Sequence, residues 1–501
     1  MEENSVLTKE EKEITKEETL TFDRTDCILA YAVLILGFCF IRFVLWNVTG
    51  IITTAFFWVT AIICMIYLKK NGFKQDRSNL TGFGLVIVFS LVFSISANNF
   101  IKFLDIVFVL LLGIHWVYSV CRDNGRIGSY FIFDMLKAVY VMPFAGFLKT
   151  SGAIAYTNRR FRHSNNVKLA VLGFIAAIPL TVLVAELLTS ADSGVERMLQ
   201  YVLNGIDEDI MIPVLQMLLG IPVAFYLYGM LYSNVRREKA EIFTEEECGK
   251  RINRMKFVPN ILLYSAVTPV CILYTMFFIS QLNYFLSAFM GQLPGSYSFA
   301  EYARRGFFEL CAVTVINLFI ILAINLLSRQ SGEDKPAILK IYSVMLTAFT
   351  LMIITTALSK MVMYICEYGL TRLRVYTSWF MVLLALTFIL ILIRQFKYRF
   401  HFARYLVTAF VLMFGILCFS RVDAMISRYN IDMYQAGRLK ELDTAALRNL
   451  SEDGLLYALE QGVLTKGDLY YMEELYETNP YVTLNLSSFR VKSYLERDME
   501  Q

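Results

Sequence analysis

The chain has 501 residues, of which 57% are hydrophobic and 18% charged, with 47 Lys and Arg against 43 Asp and Glu and a net charge of +4. A soluble domain carries about 25% charged residues, so a mean hydropathy of +0.53 excludes a string of soluble domains. The small positive balance is scattered over loops, and no basic domain with interleaved aromatics marks a nucleic-acid partner.

In chain order, residues 1–26 are rich in Glu, Lys and Thr and lack apolar groups to bury, which reads as a disordered cytoplasmic tail. The tail is too long and too acidic to open a signal peptide. Residues 27–420 read as a polytopic transmembrane domain. Its apolar segments are Ile28–Leu45, Ile51–Leu68, Leu80–Ser96, Leu104–Val120, Leu169–Leu188, Ile212–Tyr232, Ile261–Ile279, Phe307–Leu327, Ile341–Leu358, Phe380–Ile393 and Tyr405–Phe419. A hydrocarbon core about 30 Å thick takes about 20 helical residues to cross, at about 1.5 Å each. The expectation is an all-α integral membrane protein with roughly eleven transmembrane helices.

Lys and Arg concentrate in cytoplasmic loops, and here they alternate. Lys9 to Arg24, Lys69 to Arg77, Arg122 and Arg126, Arg159 to Arg162, Arg236 to Lys256, Arg329 and Lys335, and Arg394 to Arg404 fall inside. The acidic loop from Asp192 to Asp209, the Gln281–Arg305 loop and the Lys360–Arg374 stretch fall outside. The N-terminus is then in the cytoplasm and the C-terminus outside. Basic residues on both flanks of 131–149, with Asp134, Lys137 and Pro143 within it, make that piece interfacial or re-entrant rather than a span.

Residues 421–501 are polar and read as a small helical extracytoplasmic domain. Helix starts fall at Thr444 and Ser451, and Leu447, Leu450, Leu455, Leu456 and Leu459 supply an apolar face. Nine cysteines, mostly within spans, and three separated histidines show neither CxxC nor HExxH spacing. No catalytic motif, cofactor loop or metal-ligand set is recognisable, and the partners implied are the lipid bilayer and, at the ectodomain, a protein or cell-wall component. The aromatic share of 15% suits belts at both membrane interfaces.

Charged side chains at membrane depth cost at least about 2.5 kcal/mol and so mark candidate sites. They are Asp105 (with Lys102 one turn earlier), Glu301, Arg304, Glu309, Lys360, Glu367, Arg372 and Arg374, all at the outer side of this topology. Two readings follow. They converge on a polar chamber for an ion, a lipid head group or a cell-wall precursor, or they pair with one another as glue between helices.

Three segments carry a family resemblance. Glu301-Tyr302-Ala303-Arg304-Arg305-Gly306-Phe307-Phe308-Glu309-Leu310, then Tyr368-Gly369-Leu370-Thr371-Arg372-Leu373-Arg374-Val375-Tyr376, and then Ile426-Ser427-Arg428-Tyr429-Asn430-Ile431 with Leu442-Asp443 and Leu450-Ser451-Glu452-Asp453 occur in that order. Together they resemble an uncharacterised bacterial membrane family, domain of unknown function four-one-seven-three, related to four-one-five-three. Arg305 and Gly454 depart from its pattern, which has Glu and Ala there. The resemblance implies a multi-pass bacterial plasma-membrane protein and supplies no activity. The functions that remain are an envelope sensor or scaffold, a transporter or permease with a charged path, and a membrane enzyme acting on lipid or cell-wall intermediates.

Overall fold

A computed structural model describes most of residues 22–157, 208–289, 307–329, 337–470 and 485–497, with scattered positions between 173 and 198 and at 472 and 476. The described residues are helical, with no strand among them beyond one isolated parallel bridge between Val258 and Ser328. Helix α1 (Arg24–Phe40) runs on as a π-helical turn (Ile41–Trp46), and α2 (Ile51–Lys70) follows. Then come α3 (Arg77–Ser90), α4 (Val92–Ile95), α5 (Asn99–Cys121), α6 (Phe131–Leu136), α7 (Met142–Gly146), α8 (Lys149–Thr157), α9 (Glu208–Val235), α10 (Glu245–Met255) and α11 (Asn260–Phe289). The later helices are α12 (Phe307–Leu327), α13 (Ala337–Tyr368), α14 (Arg372–Phe396), α15 (Phe402–Phe419), α16 (Val422–Gln435), α17 (Thr444–Arg448), α18 (Glu452–Glu460) and α19 (Leu486–Arg497).

Nine helices among the described residues are long and apolar enough to cross a membrane, and they coincide with nine of the eleven expected segments. The chain is a multi-pass membrane protein. Many apolar side chains on these helices stay exposed, Ile35 and Leu412 among them, as a lipid-facing surface requires. Leu169–Leu188 falls largely outside the described residues, as does the tail through residue 21. Leu80–Ser96 falls in an apolar helix, Asn79–Ile95, that is shorter than these nine and whose hydrogen-bond ladder is interrupted at Leu91. The cause is polar competition from α2, where Thr54 donates to the Ser90 carbonyl (2.7 Å) and the Trp58 indole donates to the Ile87 carbonyl (3.1 Å). The 131–149 region forms α6 and α7 joined by a π-helical turn, bent by 40° against α8, the shape of a broken span or a re-entrant loop.

The chain divides into two compact units. The first comprises residues 1–46, 62–75 and 138–239. Its helices meet at glycines. A Cβ at Gly37 on α1 would collide with the Gly220 carbonyl on α9, and one at Gly229 on α9 would collide with the Pro143 carbonyl of α7. Between membrane helices, association rests on such close backbone packing rather than on exclusion of water. At the start of α1 the buried Asp26 accepts hydrogen bonds from Tyr67 (2.7 Å) and Arg236 (2.8 Å).

The second unit comprises residues 47–61, 76–137 and 240–501. Here α13 packs against α11, α12 and α14, and α14 also packs against α15. The centre of this layer is Leu346, Ile354, Ala357, Met381 and Phe388. Asn317 stitches three of its helices, accepting from Tyr274 (2.6 Å) and donating to Thr350 (2.9 Å). On the other side α3 packs on α5, and Phe89, Phe108, Phe410 and Phe414 join them to α15. The C-terminal helices hold a small core of their own around Ile431, Leu447, Leu455, Ala458, Leu469 and Val491. Its second helix, α17, is capped one residue before the expected start, by Asp443, whose carboxylate accepts from the Ala446 amide (2.8 Å).

Candidate functional site

Two buried aspartates fasten the C-terminal helices to the ends of the spans. The first is Asp423, in the first turn of α16 and fully buried. Arg372, at the start of α14, grips it with both arms of its guanidinium, Nε to Oδ1 at 2.8 Å and Nη2 to Oδ2 at 2.6 Å. Ser451 adds its amide (3.0 Å) and its hydroxyl (2.5 Å). Burial raises the Asp423 carboxyl, but the Arg372 guanidinium and the Ser451 hydroxyl and amide outweigh it and hold the group below the usual aspartate range. A paired charge of this kind is costly to break, because removing one partner strands the other in a dry site, at about 3–5 kcal/mol.

The second is Asp453, in the first turn of α18. One of its oxygens accepts from the Ser96 hydroxyl (2.7 Å) and the Ala97 amide (2.8 Å), in the link between α4 and α5. The other accepts from Arg421 Nε (3.0 Å) and the Ser487 hydroxyl (2.5 Å). Arg421 also donates to Ser487 Oγ (3.0 Å), so α19 is tied into the same knot. Arg421 sits between α15 and α16 in the left-handed region, at φ +50°, a conformation uncommon for a side chain of its bulk. Its two acceptors account for the chain holding it there.

The turn between α13 and α14 completes the junction. Gly369 has φ +74° and ends α13. A Cβ there would lie 2.5 Å from Asn430 Oδ1. Asn430, on α16, accepts from the Leu370 amide (2.6 Å) and donates to the Leu370 carbonyl (2.9 Å), matching one residue's backbone with one side-chain amide. Arg374 turns back onto the free carbonyls of Tyr368 and Gly369 and lies 4.0 Å from the Tyr364 ring centre. Tyr376 accepts from the side chain of Asn98, the residue that caps α5 (3.1 Å). The ends of α4, α5, α13, α14 and α15 therefore share one end of this unit with the C-terminal helices.

The residues expected from the sequence fall as follows. Glu301 and Arg304 lie outside the described residues. Glu309 is exposed, and it is the charge that acts on the buried Lys360. Glu367 pairs with Lys440 at 2.8 Å on the surface. Arg372 and Arg374 each have the separate partners just described. Asp105 is completely buried on α5, and neither of its oxygens has a hydrogen-bond partner among the described residues. Lys102, one turn before it, is also buried, within reach of the charges of Glu452 and Asp453. No group of metal-ligating side chains occurs among the described residues.

Sequence reasoning missed Arg421, Asp423, Asn430, Asp453, Ser96 and Ser487 as a set. Three of them stand inside or beside segments already singled out. Asn430 lies in the Ile426–Ile431 segment, Asp453 closes Leu450–Asp453, and Asp423 precedes the first by one turn. The second and third of the quoted segments thus face each other across one junction.

The family described as Domain of unknown function (DUF4153) matches residues 83–461, about three quarters of the chain, and the chain belongs to it. The number four-one-seven-three expected from the motifs is corrected accordingly. No curated protein and no solved structure matches the chain. The matched region runs from within α3 to the end of α18 and contains Ser96, Arg372, Arg421, Asp423, Asn430 and Asp453, while Ser487 on α19 lies beyond it.

Proposed function

We propose that this member of the DUF4153 family is a bacterial plasma-membrane protein with its N-terminus in the cytoplasm and its C-terminal helices outside, acting as an envelope sensor or scaffold through those helices. The observation that carries the reading is the buried Asp423 and Asp453 junction. It spends charge on holding α16, α18 and α19 in one position on the span ends, as a part that must present a surface or pass on a displacement requires. Two pockets in this unit, one lined by Tyr274, Phe349 and Thr356 and the other by His115, Arg122 and Asp134, hold about 20 Å³ and 10 Å³, enough for little more than a water molecule. Small-molecule sites usually occupy about 300–1,000 Å³, so these two favour contact over substrate handling.

The test places a photo-crosslinking residue at Tyr470 or Phe489, both exposed on the C-terminal part, in cells making the full chain. Defined adducts to one envelope protein or wall polymer, lost in Asp453→Ala, are expected. A second reading, a transporter or permease, is favoured by buried Asp105 and Lys102 in a membrane helix. It requires ion flux in proteoliposomes that Asp105→Asn abolishes and that loss of the C-terminal helices leaves intact. Flux of that kind, without adducts, would replace the first reading with the second.

A further inference from the structure

Below the junction, a line of titratable groups runs into the membrane domain. Glu452 stands at its head, half-buried and accepting from the Ser488 hydroxyl (3.2 Å). Lys102 comes next, one turn into α5, within electrostatic reach of Glu452 and Asp453. Asp105 follows three residues later on the same helical face, about 9 Å along α5 from its first residue. Cys418 of α15 lies close enough for the two groups to interact. One turn deeper the line is closed by Phe108, whose ring centre is 4.6 Å from that of Phe89 and 4.7 Å from that of Phe414. Of the helices packed around Asp105, α3 carries no titratable side chain beyond Arg77 at its far end, and α4 carries none.

The chemistry selects the occupant. An ionised carboxylate that is dry and has no hydrogen bond costs several kcal/mol, and something must neutralise it. A hard metal cation takes about six oxygen ligands, whereas Asp105 has no hydrogen-bonding neighbour among the described residues. A proton needs one oxygen only. We propose that Asp105 is a reversible proton-binding site. In loading, an Asp105 carboxylate oxygen takes a proton from hydronium, which leaves as water. Release runs the same step backwards, and no bonds other than O–H form or break.

This site stands apart from the reading of the C-terminal helices as a docking part, since the measurement reads the carboxyl group itself. Infrared difference spectra of the full-length protein in lipid, recorded between two pH values, show the carbonyl stretch of any carboxylic acid that titrates. The expected result is a buried-acid band in the wild type that is lost in Asp105→Asn and displaced in Asp105→Glu. The assignment is overturned if a folded Asp105→Asn keeps every titrating band. It is equally overturned if the band follows sodium or potassium at fixed pH. Should Asp105→Asn fail to fold, Asp105→Glu decides, and an undisplaced band there ends the proposal.

Discussion

Asp453 and Asp105 are both buried carboxyl groups in the same compact unit, yet Asp453 gathers four hydrogen bonds and Asp105 none among the described residues. The difference follows from where each one sits. Asp453 lies in the first turn of α18, where it meets a loose link, an arginine between two helices and a serine of a third. Each of these can turn a donor toward it. Asp105 lies within a long helix whose backbone amides are already used, and its neighbours across the interface are a cysteine and phenylalanines. A carboxylate in the first setting is a fastener, whereas in the second it stays costly unless it is neutralised.

The contrast breaks most decisively at the fastener. Asp453→Ala removes the acceptor for Ser96, Ala97, Arg421 and Ser487 together and leaves the half-buried Arg421 without its counter-charge. We expect a loss of about 3–5 kcal/mol, concentrated in the docking of α18 and α19. Hydrogen exchange of amides in 452–460 and 486–497 reads this directly. Asp105→Ala removes an unpartnered group and should leave that exchange close to wild type. Equal losses in the two variants would mean that the two carboxyl groups do the same work.

The spans were legible because a run of about 20 apolar residues has few other stable uses. The interrupted hydrogen-bond ladder at Leu91 was not, since Leu91 and its neighbours are as apolar as any other span. The helix yields there to Thr54 and Trp58, which approach from a different part of the sequence. Arg372 was visible as a charge at the membrane edge, but its partner Asp423 is 51 residues away. The Ser96 and Asp453 partners are 357 residues apart. Pattern reading sees spacing along a helix and not such pairs. Ser451 shows how local logic is overridden. It does precede a helix, as expected, but its hydroxyl goes to Asp423 instead of to the amides of its own first turn.

A smaller test addresses the fit around the fastener. Gly454 follows Asp453, and a Cβ there would lie 2.8 Å from the Asp423 carbonyl oxygen and 2.9 Å from Leu450 Cδ1. An alanine there does not fit this spacing of α16 and α18 without a backbone shift. Gly454→Ala should cost about 1–3 kcal/mol as overpacking does, offset in part by alanine's better helix propensity. The loss should appear as a lowered thermal midpoint for exposure of the α16 and α18 contact, with the spans unaffected. A stabilised Gly454→Ala would show that the two helices separate freely, and that the carboxylates alone set the junction.

The smallest effect separates two neighbouring carboxyl groups by the sign of their pH response. Asp423 is held below the usual aspartate range, so the folded form binds its proton less readily than the unfolded chain. Its stabilisation is therefore present above the ordinary aspartate value of about 3.9 and is lost as pH falls through the lower folded value. Glu452 is shifted the other way. Burial raises it, against the pull of its own amide, the Ser488 hydroxyl and Lys102. Its contribution is therefore fully present below the ordinary glutamate value of about 4.3 and fades as pH rises through the higher folded value. The C-terminal helices should then dock most firmly in mildly acidic solution, with a loss on the alkaline side that Glu452→Gln removes and a loss on the acid side that it does not. Protease resistance of the full-length protein across this range measures both limbs. If Glu452→Gln flattens the acid limb instead, the two carboxyl groups have been assigned to the wrong sides of the junction's balance, and Glu452 is held by its partners as firmly as Asp423.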